Sequence, residues 1–417
     1  MRRNGAAVLG LVAVMLGACT DGTAPTAAAG APRLSSDEGR GDFHRYVALG
    51  TSISMGWASN GVYFGTQQTA WPVQLAAMAH RDMALPLIED PGCTSPIVAP
   101  LALARRRSGE SVAGSTVCAP NAEGVVLPAD NVGIANILAH EALTRTPEME
   151  PNRPWFARVL PPGTTALQAA LAQNAKVITV EYGGNEVLQA TRGLFRDGVT
   201  TVPPFVFKGA MTQILDAVGG TSAKVLVVGL PATAGNLPSL RRAAEIWAAA
   251  PAFAALNVTV AADCDASTNW MNVSTKALAA IYTGQTYKSM GLPISATLSC
   301  ADVPGTLDDV LTADDMTALT ARLADLNAFL EAQAASRGFA YSSIGALYDR
   351  ADLKIAYNPI LQLTSMEPYG HHYSLDAVHP SAAGHALIAE AAAAALNATY
   401  NMNIPTGEAT VLASLGR

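Results

Sequence analysis

Short, nearly continuous hydrophobic runs alternate along the chain with alanine-rich stretches in which apolar residues recur at helical spacing. The runs predict five β-strands: YVALG, MALPLIE, KVITVEYGG, KVLVVGLP and FAYSSI. The third and fourth, which are nearly continuous in apolar residues, are expected to be covered on both faces. The stretches between them predict helices, among them TALQAALAQ, GAMTQILDAV and TADDMTALTARLADLNAFLEAQAASRG. Such alternation favours a parallel sheet with right-handed crossovers, whose ligands bind at the carboxyl ends of the strands.

Two stretches depart from this alternation. Residues 91–128 and about 236–305 are predicted to be insertions, which either shape the mouth of a site or are only surface loops held by disulfides. Each contains two cysteines, and an even set of cysteines in an exported protein favours disulfides. The sequence allows three pairings, of which we expect the one that closes two local loops: Cys93 with Cys118 and Cys264 with Cys300.

The first residues carry the pattern of an export signal. Two arginines precede the apolar stretch AAVLGLVAVMLG, which is too short to span a membrane. Its end, together with the next two residues, reads LGAC and resembles the bacterial lipobox. We therefore expect lipidation of Cys19 and anchoring to the bacterial cell envelope, on its periplasmic or surface face; the alternative is ordinary signal cleavage beside a chance cysteine. The expected organisation is a lipoprotein signal peptide at 1–18, a flexible tether at 19–42, the folded domain at 43–400 and a C-terminal tail at 401–417.

Composition narrows the class of protein. Of the 417 residues, 50% are hydrophobic and 14% are charged, which is typical of a globular protein with a large core. The formal net charge is −7 and no basic face is visible, so nucleic acid is not an expected partner. In EPYGHHY, we expect Glu367, His371 and His372 to form a polar loop rather than a metal cluster. Neither a cofactor nor a metal is expected.

Three segments carry residues suited to acyl transfer. Ser52, in GTSISMG, follows the first strand, where the N–H groups of the next helical turn point outward. Asn185, in GGNE, ends another strand and is placed to donate to an oxyanion. In DAVHP, Asp376 can accept from Nδ1–H of His379 and leave Nε2 free to take a proton from serine. Taken singly, each segment has a plainer interpretation as a helix cap or a turn.

In this order, the three segments resemble the motifs of the GDSL, or SGNH, hydrolase family. DAVHP matches the last family motif fully, whereas Thr51 and Glu186 stand where the family usually has aspartate, neither of them at a catalytic position. The resemblance covers most of the chain, from about Phe43 to Leu396. It implies an α/β fold: a three-layer α/β/α sandwich with a mostly parallel, flavodoxin-like sheet (the SGNH hydrolase fold), here with disulfide-stapled loop insertions.

The resemblance also implies a role for each residue. Ser52 would be the nucleophile that forms an acyl-enzyme, His379 the general base, and Asp376 the group that orients His379. The oxyanion hole would combine the backbone N–H groups of Ser52 and Asn136 with the side chain of Asn185, and Gly133 is the alternative to Asn136. Asparagine is the residue that best tolerates the left-handed conformations adopted by glycine.

The expected function is that of a serine esterase or lipase acting on small-molecule, lipid or carbohydrate esters. Two alternatives stay open: a carbohydrate O-acetyl esterase of the cell envelope, and a non-catalytic envelope lipoprotein that uses the same fold as a binding scaffold. The sequence does not determine the acyl chain, the alcohol, the membrane or the oligomeric state.

Overall fold

A computed structural model describes residues 41–407, which belong to one compact unit. The predicted signal peptide, Cys19, almost all of the tether and the end of the predicted tail lie outside the described residues. Within the described range the strands are β1 Tyr46–Gly50, β2 Asn131–Gly133, β3 Val177–Glu181, β4 Lys224–Gly229, β5 Leu240–Arg242, β6 Val258–Val260, β7 Trp270–Asn272, β8 Ala296–Leu298, β9 Val310–Leu311 and β10 Ala340–Ser343.

Five of these strands form the central sheet, in the order β10-β4-β3-β1-β2, with every neighbouring pair parallel. Numbered by chain position among themselves, they follow the order 2-1-3-4-5, which is that of flavodoxin. Strands β1 and β3 are buried at every position because helices cover both faces of the sheet. The expected parallel, flavodoxin-like sheet is confirmed.

The α-helices of the described range are mostly short, and four of them have twelve residues or more. In chain order they are α1 Ser52–Met55, α2 Phe64–Gln67, α3 Trp71–Met78, α4 Glu141–Thr144, α5 Phe156–Val159, α6 Ala166–Leu171, α7 Asn185–Leu188, α8 Pro204–Gly219, α9 Ala243–Ala248, α10 Ala250–Ala255, α11 Leu278–Ser289, α12 Ala313–Arg337, α13 Gly345–Tyr348, α14 Pro359–Thr364 and α15 Ala382–Tyr400.

The helices form a layer on each face of the sheet. Across the sheet, the connection from β1 to β2 runs one way, and the connections that lead to β3, β4 and β10 run the other way. Because such connections are right-handed, α3 lies on one face of the sheet, and α6, α8 and α12 lie on the other. Accordingly, α3 packs against α15, and α8 packs against α12. Helix α12 begins at the capping side chain of Thr312 and ends at Gly338, whose φ of 66° favours glycine. The three-layer α/β/α sandwich is confirmed.

One predicted strand is wrong. Residues 83–89, MALPLIE, form no strand and make a single isolated bridge, between Ile88 and Asn121. Pro86 has no N–H to donate to a ladder, which disfavours a strand inside a sheet. The strand beside β1 is instead β2, whose three residues are too few to show a hydrophobic pattern.

Both predicted insertions contain the disulfides expected for them, Cys93–Cys118 and Cys264–Cys300. The first insertion is loop with isolated bridges, whereas the second contains the parallel pair β6–β8 and the antiparallel pair β5–β7. Over residues 41–407, none of the helices has the length and the hydropathy needed to cross a membrane.

Candidate active site

Ser52 lies where the order of the central sheet changes direction. It is the first residue of α1, directly after β1, and β1 is flanked by β2 on one side and β3 on the other. Open α/β sheets bind ligands in the crevice at such a switch point, beyond the carboxyl ends of the strands. The local fold thus puts a serine hydroxyl at the place where this architecture forms sites.

His379 and Asp376 reach Ser52 from the other end of the chain. His379 Nε2 lies 2.9 Å from Ser52 Oγ, and His379 Nδ1 lies 2.9 Å from Asp376 Oδ2. All three side chains are buried, with exposed fractions of 5 to 9%. The structure therefore brings together the three residues that the sequence predicted, in one continuous line of hydrogen bonds.

Asp376 is held as an anion by its surroundings. Burial alone would raise the pKa of its carboxyl, but His379 and backbone N–H groups outweigh burial and lower that pKa to about 2. The N–H of Asn60 donates to Oδ2 at 2.8 Å, and the N–H of His379 donates to Oδ1 at 2.8 Å. Ala377, between the two side chains, has a φ of 62°, and this left-handed turn lets residues three apart face each other.

Asn185 and Asn136 border the same cavity as His379. Asn185 begins α7, and its Nδ2 donates to the carbonyl of Ile137 at 2.9 Å, so one amide hydrogen fixes the side chain and the second is available to a ligand. Asn136 has the left-handed φ of 57° expected of an asparagine in a glycine-like position. The N–H of Gly133, by contrast, already donates to Asn131 Oδ1 at 2.9 Å and is not open to a substrate.

Glu181 is a buried acid that the sequence analysis missed. It ends β3 and accepts from the backbone N–H of Thr51 at 2.9 Å, from the Thr51 hydroxyl at 2.9 and 3.0 Å, and from the Ser54 hydroxyl at 2.9 Å. Ser54 in turn accepts from Trp71 Nε1 at 3.2 Å. Burial raises the pKa of Glu181, and these hydrogen bonds oppose the rise. Thr51 therefore has a structural role here, because its N–H and its hydroxyl both donate to the buried carboxyl group of Glu181.

A second buried acid, Glu186, joins the two asparagine segments. Its Oε1 accepts from the N–H of Ala139 at 2.7 Å, and its Oε2 has no hydrogen-bond partner among the described residues. Because it is buried, its pKa rises to about 7. Asn185 binds the carbonyl of Ile137, and the next residue, Glu186, binds the N–H of Ala139. Two hydrogen bonds therefore connect the turn after β3 to the loop that carries Asn136.

Two cavities meet at His379. The small cavity measures about 70 Å³ and contacts Ser52, while the large cavity measures about 810 Å³ and contacts Asn136. The walls of the small cavity are mainly apolar, including Val187, Leu188, Leu237, Leu319, Leu323 and Ile344. The walls of the large cavity carry amide, hydroxyl and charged groups, including Asn60, Arg153, Gln189, Asn272, Ser274 and Thr275. Asn185 and His379 border both cavities.

In EPYGHHY, Glu367 and His371 are exposed and His372 is half-buried, whereas the two tyrosines are buried. His371 Nδ1 is 3.1 Å from Glu367 Oε1, and both side chains are about half exposed. Over the part of the chain that the structure describes, the one cluster with metal-ligand spacing is Asp263 with Cys264 and Cys300. Those two cysteines are joined to each other in a disulfide and have no thiolate to offer.

Comparison with known families relates this geometry to a reaction class. The family model described as GDSL-like Lipase/Acylhydrolase matches residues 46–392, which is most of the chain. The chain belongs to this family. Membership makes it a carboxylic ester hydrolase.

The chain also resembles a solved structure, that of an extracellular lipase from Streptomyces rimosus. The two are 14% identical, the match covers 85% of this chain and 98% of that chain, and the TM-score is 0.35. No curated protein matches the sequence. The assignment to the GDSL-like lipase/acylhydrolase family depends on the family match and not on that distant likeness.

Proposed function

We propose that this GDSL-family hydrolase is a serine esterase with Ser52 as nucleophile, His379 as general base and acid, and Asp376 as the group that orients His379. One observation carries the proposal: the line of hydrogen bonds from Asp376 Oδ2 through both nitrogens of His379 to Ser52 Oγ, each 2.9 Å long. A serine hydroxyl is a weak nucleophile unless a neighbouring base accepts its proton.

The reaction has two steps. His379 donates Nδ1–H to Asp376, so Nε2 can take the Ser52 proton while Oγ bonds to the ester carbonyl carbon. The resulting oxyanion accepts from the backbone N–H groups of Ser52 and Asn136 and from the second amide hydrogen of Asn185. The C–O bond to the alcohol breaks, and His379 returns its proton to the departing alcohol. Water then attacks the acyl-enzyme with His379 as base, releasing the acid and free Ser52.

The test is ester hydrolysis by the purified folded domain and by Ser52→Ala and His379→Ala. We expect kcat on p-nitrophenyl butyrate to fall by about 10⁴-fold or more in both variants, because the residues act as a unit. Ser336→Ala, an exposed serine on α12, is the matched control and should keep full activity. Activity that survives in both variants would rule out the mechanism, and an inactive parent protein would favour the binding scaffold.

We also propose that the protein is exported and anchored by lipidation of Cys19, with a tether at 19–42 and the hydrolase domain at 43–400. The sequence of the first residues supports this part of the proposal. Expression of the full chain in a bacterial host fed an alkyne-labelled fatty acid tests it. Label should appear on the protein and be lost in Cys19→Ala; equal labelling of the two would contradict anchoring at that cysteine.

A further inference from the structure

We infer that the substrates are esters of a short apolar acyl group with a neutral, hydroxyl-rich alcohol such as a sugar or another polyol. The acyl group occupies the small cavity and the alcohol occupies the large one. The inference rests on the proposed function, since it assigns the two sides of the ester that Ser52 attacks.

The acyl group is assigned to the small cavity because it stays attached to Ser52 during the reaction. In an acyl-enzyme the acyl group remains bonded to Oγ, so its chain must lie in a cavity that Ser52 itself borders. Ser52 borders the small cavity, and the far wall is built by the buried side chains of Leu319 and Leu323 on α12 together with Ile344. Such a wall favours a hydrocarbon chain because it offers no hydrogen bonds.

The size of the small cavity limits the length of that chain. A cavity of 10–15 Å³ on this measure holds one water molecule, so about 70 Å³ holds roughly five groups of that size. Allowing for the carbonyl carbon, the cavity suits acyl groups of roughly four to six carbons. A long lipid chain would need Leu319 and Leu323 to move out of the core.

The alcohol is assigned to the large cavity because it must receive a proton from His379 as it leaves. His379 Nε2 donates to the leaving oxygen, and the water that later attacks must enter at the same place. His379 borders the large cavity, whose volume of about 810 Å³ leaves room for a leaving group to depart and for water to follow. A bulky group on the acyl side would find no such space.

The charges of the large cavity select a neutral alcohol. Among the described residues that line it, the permanent cations are Arg153 and Arg192. Arg153 makes a two-point ion pair with Glu141, with N–O distances of 2.7 and 2.9 Å, and Arg192 pairs with Asp309. An alcohol that carries phosphate would have to break these pairs to be neutralised. The carboxyl groups that line the cavity offer little to a cationic alcohol such as choline. Glu141 is paired with Arg153 and Asp376 with His379, and the burial of Glu186 disfavours its charged form.

Hydroxyl groups, by contrast, find side chains that can still accept: Ser274 and Thr275 donate to Asn272, but a hydroxyl that donates one hydrogen bond keeps its lone pairs for a ligand. Several side chains of the lining can both donate and accept hydrogen bonds, which suits alcohols with several hydroxyls. These side chains are Asn60, His140, Gln189, Asn272, Ser274 and Thr275. Three of these come from the second disulfide-bonded insertion, at the end of β7 and just after it. That insertion therefore shapes the alcohol side of the site.

The acyl half is tested by chain length. We expect the kcat/KM of the folded domain on glycerol monoesters to peak at butanoate or hexanoate and to fall at least tenfold at dodecanoate. Leu323→Ala removes part of the far wall and should raise the octanoate-to-butanoate ratio of kcat/KM about tenfold. Leu326→Ala, a buried leucine one turn away that does not line the cavity, is the matched control and should keep the parent ratio. A parent preference for dodecanoate, or equal ratios in the two variants, overturns this half.

The alcohol half is tested with butanoate held constant. We expect the butanoate esters of glucose and glycerol to have a kcat/KM at least tenfold above those of choline, lysophosphatidylcholine and n-octanol. A preference for any of these last three overturns the assignment. Labelling of Ser52 by a fluorophosphonate distinguishes failure of this inference from failure of the proposed function. A protein that is labelled but prefers the choline, lysophosphatidylcholine or octanol ester refutes only this inference, whereas a protein that is not labelled refutes the proposed function.

Discussion

Thr51→Asp restores the residue that the GDSL family usually carries, and we expect it to destabilise this protein. Thr51 Oγ1 lies 2.9 and 3.0 Å from the two carboxylate oxygens of Glu181, so an aspartate would bring a second carboxylate against a buried one. Two like charges about 4 Å apart repel each other by about 4 kcal/mol at an effective dielectric constant of about 20. The free energy of unfolding should fall by about that amount.

Two further variants separate this repulsion from the loss of a hydrogen bond. Thr51→Val removes the hydroxyl without adding charge and should cost about 1 kcal/mol. Thr51→Asp combined with Glu181→Gln leaves one carboxylate and one amide donor in the same space, which should restore stability to within about 1 kcal/mol of the parent protein. With about 4 kcal/mol lost by Thr51→Asp and about 1 kcal/mol by the double variant, the double-mutant coupling is about 3 kcal/mol plus whatever Glu181→Gln loses alone.

Urea unfolding at pH 8, where aspartate is ionised, measures the free energy of unfolding of each variant. The kcat on a butanoate ester reports whether the double variant also regains the active conformation of the Ser52 turn. The reasoning fails if Thr51→Asp is as stable as Thr51→Val. It also fails if the double variant loses the sum of its two single losses.

Three other predictions follow from the site and the insertions. Asp376→Asn should lower kcat about 10⁴-fold because it leaves His379 in the wrong tautomer, and it should also lower the free energy of unfolding because the carboxylate accepts from backbone N–H groups; unchanged kcat would exclude the orienting role. The pKa of Glu186 is raised from 4.5 to about 7, so the parent protein should lose about 3 kcal/mol more stability than Glu186→Gln as pH rises from 4.5 to 8; parallel curves in urea unfolding would contradict this. Removing the Cys264–Cys300 disulfide, which spans 36 residues, by Cys264→Ser with Cys300→Ser should cost about 3 to 4 kcal/mol; an unchanged urea midpoint would refute it.

Much of the fold could be predicted because its signals are local. The buried strands β3 and β4 are continuous apolar runs, and α12 carries both its capping threonine and its terminal glycine in the sequence. The strand predicted at 83–89 failed because a hydrophobic run does not distinguish a strand from a partly buried loop. Strand β2 was missed because pairing with β1, rather than its own three residues, makes it a strand.

The site divides in the same way. Ser52, Asn185 and the Asp376–His379 turn sit in short motifs whose spacing carries the chemistry, so they could be named in advance. Glu181 could not, because its partners Thr51 and Ser54 lie about 130 residues away in sequence and meet it only when β1 and β3 pair. An acidic residue at the end of an otherwise apolar strand was the one signal available. The preference for Asn136 over Gly133 as the proposed backbone donor likewise needed the hydrogen bond from Gly133 to Asn131.

The central claim is that Ser52 is a nucleophile activated by His379, and a fluorophosphonate probe tests it most directly. The account predicts one labelled peptide, with the label on Ser52, no labelling of Ser52→Ala and labelling slowed at least a hundredfold in His379→Ala. Label on another serine, no label on the folded parent protein, or labelling of His379→Ala at the parent rate would contradict it.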